Sequence, residues 1–306
     1  MNLTSWMNAA NAPTTDFLDA VVDGHRFHYQ KCGSGAPLLL IHGMLGYGFS
    51  WRFNMKALGS AATVYAPDLL GMGHSERVRG LDTSLEATAD RLFGFMDKVG
   101  IKQTDLLGTS HGGSLAMWMA ATRPERVRRL ILVAPANPFC NVSDPLIRFW
   151  QSPLGKWFGM KVPFLPRPLQ ELCLARMYGS AECVANGTLD GYVEPLRIPG
   201  TPEHVLKLLA GWHDDMAALR ERLNDLPEIP TLLMWGDRDR AVGLKSCALL
   251  RKYMPLSRLV VMRGAGHLTY EERPEEFNKE VVTFLENSAA ASRKILSWRT
   301  RQSSAA

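Results

Sequence analysis

The sequence predicts an α/β fold with a mostly parallel, eight-stranded sheet flanked by helices. Two observations carry this prediction. Short, continuous apolar runs recur along the chain, as expected of strands that are buried on both faces of a parallel sheet. Helical segments separate most of these runs, and alternating strands and helices are typical of the α/β class.

The strands can be placed in order. A hairpin comes first, because residues 17–22 and 26–30 flank Asp23-Gly24, a pair that tolerates the positive φ of a tight turn. Six apolar runs follow at 37–41, 62–66, 105–107, 130–134, 231–235 and 259–262. Helices are predicted at 84–99, 113–122, 244–253 and 275–286, and the last follows a proline suited to a first helical turn.

One stretch interrupts the alternation. Residues 137–212 contain no strand-like run, yet they hold 9 of the 18 prolines and many aromatic residues. A connection of this length in a compact domain is usually functional. We therefore predict a helical cap at 137–212 whose lower face lines an apolar pocket of modest size, inserted in a core formed by 1–136 and 213–306.

Composition excludes several classes of protein. The 306 residues carry a net charge of +5, but four basic residues and no acidic residue lie in the tail 287–306, so the rest is near neutral and no nucleic-acid partner is predicted. No apolar run approaches a transmembrane span, and no signal peptide is recognisable. Five widely spaced cysteines without a C-x-x-C pair predict reduced thiols in a cytoplasmic protein. The tail, with Arg293, Lys294, Arg299 and Arg301, is interpreted as a solvated terminus, with a membrane-surface or partner-binding helix as the alternative.

The sharpest motif is Gly108-Thr-Ser110-His-Gly112, which matches G-x-S-x-G. It stands between a predicted strand and a predicted helix, the setting of a nucleophile elbow. Side chains at positions 108 and 112 would collide across so sharp a turn, which explains the two glycines. Ser110 is therefore the candidate nucleophile.

A serine nucleophile needs a base, and His267 is the candidate. It follows the strand 259–262 in the loop Gly264-Ala-Gly266, at the sheet edge where Ser110 is also expected. Asp237 and Asp239 follow the strand 231–235 at the same edge, and either carboxylate could orient the imidazole. Spacing does not choose between them.

A third loop completes the site. His42-Gly-Met44 follows the strand 37–41, and its glycine turn can direct a backbone N–H towards a substrate oxygen. The N–H groups of Met44 and His111 would form a two-donor oxyanion hole. His42 and His74 are interpreted as residues that order loops.

These motifs together resemble the α/β-hydrolase superfamily over nearly the whole chain. By resemblance, W-G-x-x-D identifies Asp239 as the acid of a Ser110–His267–Asp239 triad, and 137–212 corresponds to the family's cap. Such a triad implies neither a metal nor an organic cofactor. The matching segments are His42-Gly43, 68–75, 108–112, 235–239 and 264–267.

The resemblance also narrows the chemistry. Epoxide hydrolases and haloalkane dehalogenases of this fold use aspartate at the elbow, whereas this chain has Ser110. Carbon–carbon bond hydrolases commonly have Asn before the serine and Trp after the histidine, where this chain has Thr109 and Leu268. A carboxylic-ester hydrolase acting through an acyl-enzyme on a small-molecule ester is the expected activity. A carbon–carbon hydrolase, a cofactor-free perhydrolase and a slow-hydrolase ligand receptor are the alternatives.

Overall fold

The predicted α/β class is confirmed. The computed structural model describes residues 13–140 and 144–287 and contains one eight-stranded sheet in the order β1-β2-β4-β3-β5-β6-β7-β8. The pairs β1–β2 and β2–β4 are antiparallel, and the other five pairs are parallel. The strands are β1 (Thr15–Val22), β2 (His25–Cys32), β3 (Pro37–Ile41), β4 (Thr63–Pro67), β5 (Thr104–Thr109), β6 (Val127–Val133), β7 (Thr231–Gly236) and β8 (Ser257–Met262).

The central strands are apolar throughout because both faces of the sheet are covered. Along β3, Leu39 and Ile41 pack into one core cluster, while Leu38 and Leu40 pack into the cluster on the opposite face. This alternation explains why the strand reads as one continuous apolar run. The parallel strands all end at one edge of the sheet, and the loops that follow them carry the candidate site.

Helices cover both faces and begin close to where the sequence places them. The predicted helix 84–99 starts at its N-cap, since the Ser84 hydroxyl accepts from the Ala87 N–H. The helix behind Ser110 begins two residues earlier than predicted, directly at His111. The helices are α1 (Met55–Gly59), α2 (Leu85–Lys98), α3 (His111–Thr122), α4 (Asp144–Gln151), α5 (Pro153–Gly159), α6 (Arg167–Ala175), α7 (Thr188–Leu196), α8 (Thr201–Ala210), α9 (Trp212–Arg222), α10 (Lys245–Leu250), α11 (Thr269–Glu272) and α12 (274–287).

Helices α4–α8, which we call the insertion, stand between β6 and α9. Their aromatic residues are not gathered beneath them as expected: Trp157 and Phe164 are 63% and 62% exposed, and Phe149 and Phe158 are also exposed. Helices α4, α5 and α6 are short, and each packs one face against the rest of the protein and leaves the other exposed.

Two features of the chain concern membranes. None of the helices in the described ranges is long and apolar enough to cross a bilayer. The basic segment 287–306, which the sequence offers as a solvated terminus or a surface-binding helix, lies outside the described residues apart from residue 287.

Candidate active site

Ser110 lies on a strained turn between β5 and α3. Its φ is +51° and its ψ is −122°, a backbone conformation that a side-chain-bearing residue adopts at a cost of about 1–3 kcal/mol. A Cβ at Gly108 would lie 2.2 Å from the Gly112 carbonyl oxygen, and a Cβ at Gly112 would lie 2.2 Å from the Ile41 carbonyl oxygen. The motif G-x-S-x-G is thus required by close backbone approach, and it presents Ser110 at the end of the sheet.

His267 and Asp239 meet at the same edge. His267 Nδ1 lies 2.8 Å from Asp239 Oδ2, and both side chains are almost fully buried. The other carboxylate oxygen of Asp239 accepts from the N–H groups of Ala241 at 2.8 Å and Val242 at 2.9 Å. With its second oxygen held by the backbone, Asp239 presents the first to the imidazole in one fixed orientation.

Asp237 is directed elsewhere. Its carboxylate accepts from the Gly264 N–H at 2.7 Å and lies in an exposed environment. Of the two aspartates left open by spacing, the structure therefore brings Asp239 to His267.

The histidine loop is tied to the insertion by contacts that sequence reasoning missed. The His267 N–H donates to the Met177 carbonyl oxygen at 2.8 Å. The two carboxylate oxygens of Glu272 accept from the Gly266 N–H at 2.7 Å and from the Gly179 N–H at 2.8 Å. Burial raises the pKa of Glu272, and the two N–H donors oppose that shift. Glu272 thus joins the loop that carries His267 to the segment between α6 and α7.

Glu271 forms a second buried link to the insertion. Its carboxylate accepts from Arg52 at 2.6 Å, from the Tyr178 hydroxyl at 2.7 Å and from the Tyr192 hydroxyl. Burial raises the pKa of both tyrosines, so both remain neutral donors. The consecutive pair Glu271-Glu272, four and five residues after His267, is the sequence signal that could have revealed this network.

The loop 42–44 lies against the candidate nucleophile. A Cβ built on Gly43 would be 3.1 Å from Ser110 Cβ. His42 is buried and accepts from the Leu69 N–H through Nε2, so its Nδ1 carries the proton and donates to the Gly43 carbonyl oxygen at 2.8 Å. Burial lowers the pKa of His42, which keeps this neutral tautomer. His42 therefore orders the loop, as the sequence predicts.

A narrow cavity of about 20 Å³ adjoins Met44 and His111. Most of its wall is apolar, and the side chains of Arg91 and His204 also line it. Burial lowers the pKa of His111 to about 3, with further contributions from His42 and His204. Burial, followed by Arg91 and other nearby cations, lowers the pKa of His204 to about 4. Both imidazoles are neutral near pH 7.

His111 is the most unusual group in this cavity. Among the described residues, neither of its buried ring nitrogens has a hydrogen-bond partner. Trp212 packs beside the ring, with the centroids 6.2 Å apart. A neutral imidazole offers one donor and one acceptor, so the cavity can bind a small polar group of a ligand.

The family comparison agrees with this geometry. The family model described as "alpha/beta hydrolase fold" matches residues 36–274, more than three quarters of the chain. The chain belongs to the alpha/beta hydrolase fold family. The match spans the sheet from the end of β2 to the start of α12, and it includes all five segments on which the resemblance depends.

Individual relatives extend the comparison. The chain is 28% identical over 295 residues to a 2-hydroxymuconate semialdehyde hydrolase of Pseudomonas sp. (strain CF600), covering 93% of this chain and 99% of that protein. It is 26% identical to the structure of the meta-cleavage product hydrolase CumD from Pseudomonas fluorescens IP01, with a TM-score of 0.74 and coverage of 89% and 98%. The epoxide hydrolase CorEH, at 22% identity, a TM-score of 0.80 and coverage of 90% and 99%, shares the fold.

Proposed function

We propose that this hydrolase cleaves a carbon–carbon bond beside an aldehyde or ketone carbonyl in a small dienoate, of the kind named for its 2-hydroxymuconate semialdehyde hydrolase relative. The observation that carries the proposal is the similarity over nearly the full chain to hydrolases of this type. The cavity of about 20 Å³ beside Met44 and His111 has room for one small polar group of such a substrate, which Arg91 and the two neutral imidazoles can bind.

Ser110, His267 and Asp239 form the catalytic triad in this proposal. The Ser110 hydroxyl attacks the carbonyl carbon while His267 Nε2 takes its proton. Asp239 holds the Nδ1–H tautomer and stabilises the imidazolium that forms. The carbon–carbon bond then breaks in the keto tautomer of the substrate, in which the 2-hydroxyl proton has moved to the carbon beside the attacked carbonyl. The electron pair of that bond is delocalised onto the 2-keto oxygen, and the dienolate that leaves takes the proton held by His267. Water activated by His267 finally hydrolyses the acyl-enzyme, so one water molecule is consumed in each cycle.

The backbone N–H groups of Met44 and His111 bind the oxyanion of the tetrahedral intermediate. The first N–H groups of a helix have no partner within it, and His111 is the first residue of α3. Because His42 holds the Gly43 carbonyl on one side, the planar trans peptide directs the Met44 N–H to the other. One such donor typically lowers the barrier by about 3–4 kcal/mol.

Hydrolysis of a carboxylic ester is the second candidate. It is favoured by Thr109 and Leu268, which stand where carbon–carbon bond hydrolases commonly have Asn and Trp. The same triad and oxyanion hole serve both reactions. The two candidates differ in the leaving group, which is an alcohol for an ester and a carbanion for a dienoate.

One experiment separates the candidates. Purified protein is assayed with 2-hydroxy-6-oxo-2,4-heptadienoate, followed by the loss of its conjugated absorbance, and with p-nitrophenyl esters of graded acyl length. We expect kcat/KM to be larger for the dienoate and to fall at least about a thousandfold in Ser110→Ala. A larger value for the esters would favour the second candidate, and undiminished turnover in Ser110→Ala would refute both. A burst without sustained turnover on every substrate would indicate a ligand receptor instead.

Two broader predictions belong with this proposal. We propose that residues 137–212 act as a cap, supported by the contacts of Met177 and Gly179 with the histidine loop and by His204 in the cavity wall. We also propose a cytoplasmic location, supported by five cysteines that are all free.

A further inference from the structure

The exposed side chains of the segment α4–α6, which we call its outer face, include many large apolar groups. Half of the exposed large hydrophobic side chains among the described residues lie between positions 146 and 172, a tenth of those residues. Exposed apolar patches of this kind mark interaction surfaces. Six of these side chains are about half or more exposed: Leu146, Leu154, Trp157, Phe164, Leu169 and Leu172.

The same segment carries a net positive charge. Residues 144–176 contain five basic and two acidic residues, a net charge of +3. The remaining described residues carry 26 basic and 28 acidic residues, a net charge of −2. Arg148, Lys156 and Lys161 are exposed beside the apolar side chains. Residues 240–263 are more basic still, with six basic and no acidic residues, but the segment 144–176 combines its positive charge with many exposed apolar side chains.

A shallow groove of about 520 Å³ runs between α5 and α8 on this face. Trp157, Met160 and Leu206 provide its apolar wall, and Lys156, Lys207 and Glu203 also line it, so that two cations stand against one carboxylate. An apolar wall beside a net positive charge matches an acyl chain next to an anionic headgroup.

We propose that the outer face of α4–α6 docks on an anionic lipid surface. Aromatic and aliphatic side chains enter the headgroup region, while Arg148, Lys156 and Lys161 contact lipid phosphates. Charge complementarity favours this occupant over a second copy of the chain, since two copies would bring two segments of charge +3 together. The inference does not depend on which bond the site cleaves.

Co-sedimentation of the full chain with vesicles tests the proposal. We expect binding to vesicles of phosphatidylcholine mixed with phosphatidylglycerol, weak binding to phosphatidylcholine alone, and loss of binding with added salt. The double variant Leu154→Ser/Trp157→Ser should lower the partition coefficient at least about tenfold. Loss of a basic residue should lower it about fivefold for each site, measured with Lys156→Gln and Lys161→Gln.

Phe17→Ser is the matched control, because Phe17 on β1 is 64% exposed, like Trp157, and lies outside the patch. It should bind vesicles as the wild type does. Unchanged binding in Leu154→Ser/Trp157→Ser, or binding lost only when Arg293, Lys294, Arg299 and Arg301 are replaced, would overturn the proposal. A dimer in sedimentation velocity that Leu154→Ser/Trp157→Ser dissociates, without lipid binding by the wild type, would also overturn it.

Discussion

Replacing Asp239 with Asn tests the proposed triad with almost no change in shape. In the structure, Asp239 Oδ1 accepts from two backbone N–H groups, and Oδ2 faces His267 Nδ1 at 2.8 Å. If the Asn oxygen keeps the backbone donors, its NH2 group faces Nδ1. Nδ1 must then accept a hydrogen bond, which moves the imidazole proton to Nε2. His267 could then no longer take the Ser110 proton.

The size of the effect follows from this tautomer change. We expect kcat to fall by about 10³–10⁴-fold, since loss of the orienting carboxylate in a Ser-His-Asp triad has an effect of that order. At about 1.36 kcal/mol for each factor of ten, this equals about 4–5.5 kcal/mol of transition-state stabilisation. The melting temperature should change little, because the backbone hydrogen bonds persist.

Asp237→Asn is the matched control, because Asp237 stands two residues away and contacts the Gly264 N–H instead of the imidazole. Its activity should stay within about threefold of the wild type. The assays are steady-state hydrolysis of the best substrate and the rate at which a fluorophosphonate labels Ser110, which requires no knowledge of the natural substrate. Equal losses in both variants, or more than a tenth of wild-type activity in Asp239→Asn, would refute the assignment.

Three further predictions follow from buried polar groups. Glu271→Gln should lower the free energy of unfolding by about 3–5 kcal/mol, because it leaves Arg52 without its buried counter-charge. In the same thermal denaturation experiment, Glu280→Gln, which removes the carboxylate of an exposed ion pair, should lower the free energy of unfolding by less than about 1 kcal/mol. Equal losses in the two variants would contradict this prediction. Burial raises the pKa of Asp215 to about 6, so ionisation of this carboxyl group destabilises the folded protein. In urea titrations, Asp215→Asn should be about 1–2 kcal/mol more stable than the wild type at pH 8, and the difference should vanish as the pH falls from about 6 to 4. A stability difference that does not depend on pH would refute the prediction. His111→Leu should raise the free energy of unfolding, measured by denaturant titration, by about 1–2 kcal/mol, because it removes two buried nitrogens that have no hydrogen-bond partner among the described residues. The same variant should lower kcat/KM for the dienoate at least about tenfold. A lower free energy of unfolding would show that the two nitrogens do have hydrogen-bond partners.

Local sterics and burial made the sheet and the elbow predictable. The sequence predicts the strand β3 with its observed bounds, because a short continuous apolar run is typical of a strand that is buried on both faces. Gly108 and Gly112 identified the elbow because a side chain at either position meets backbone atoms. These signals need only a few neighbouring residues, so a single sequence contains them.

Contacts between distant segments could not be predicted. The partners of Glu271 and Glu272 in the insertion lie 79 to 93 residues away along the chain, and no local sequence pattern predicts these contacts. Spacing alone does not separate Asp237 from Asp239. The W-G-x-x-D resemblance favours Asp239, and in the structure a turn brings two N–H groups to its carboxylate. The aromatic residues of the insertion indicated a buried pocket, whereas the short helices leave several of them exposed.

The polar groups beside the oxyanion donors bear on how Thr109 and Leu268, the two differences from the carbon–carbon hydrolase pattern, are interpreted. Thr109 and Leu268 remove polar groups beside the serine and the histidine, which by itself favours an ester. Polar groups nevertheless stand next to the oxyanion donors, since His111, His204 and Arg91 reach the cavity from α3, α8 and α2. One polar group of a dienoate can therefore be bound beside the oxyanion hole without the usual Asn and Trp. The double substitution Thr109→Asn and Leu268→Trp should then raise dienoate turnover only slightly, whereas replacing His204 and Arg91 with apolar residues should reduce it strongly. The opposite order would place recognition at the triad and favour the ester for the unmodified chain.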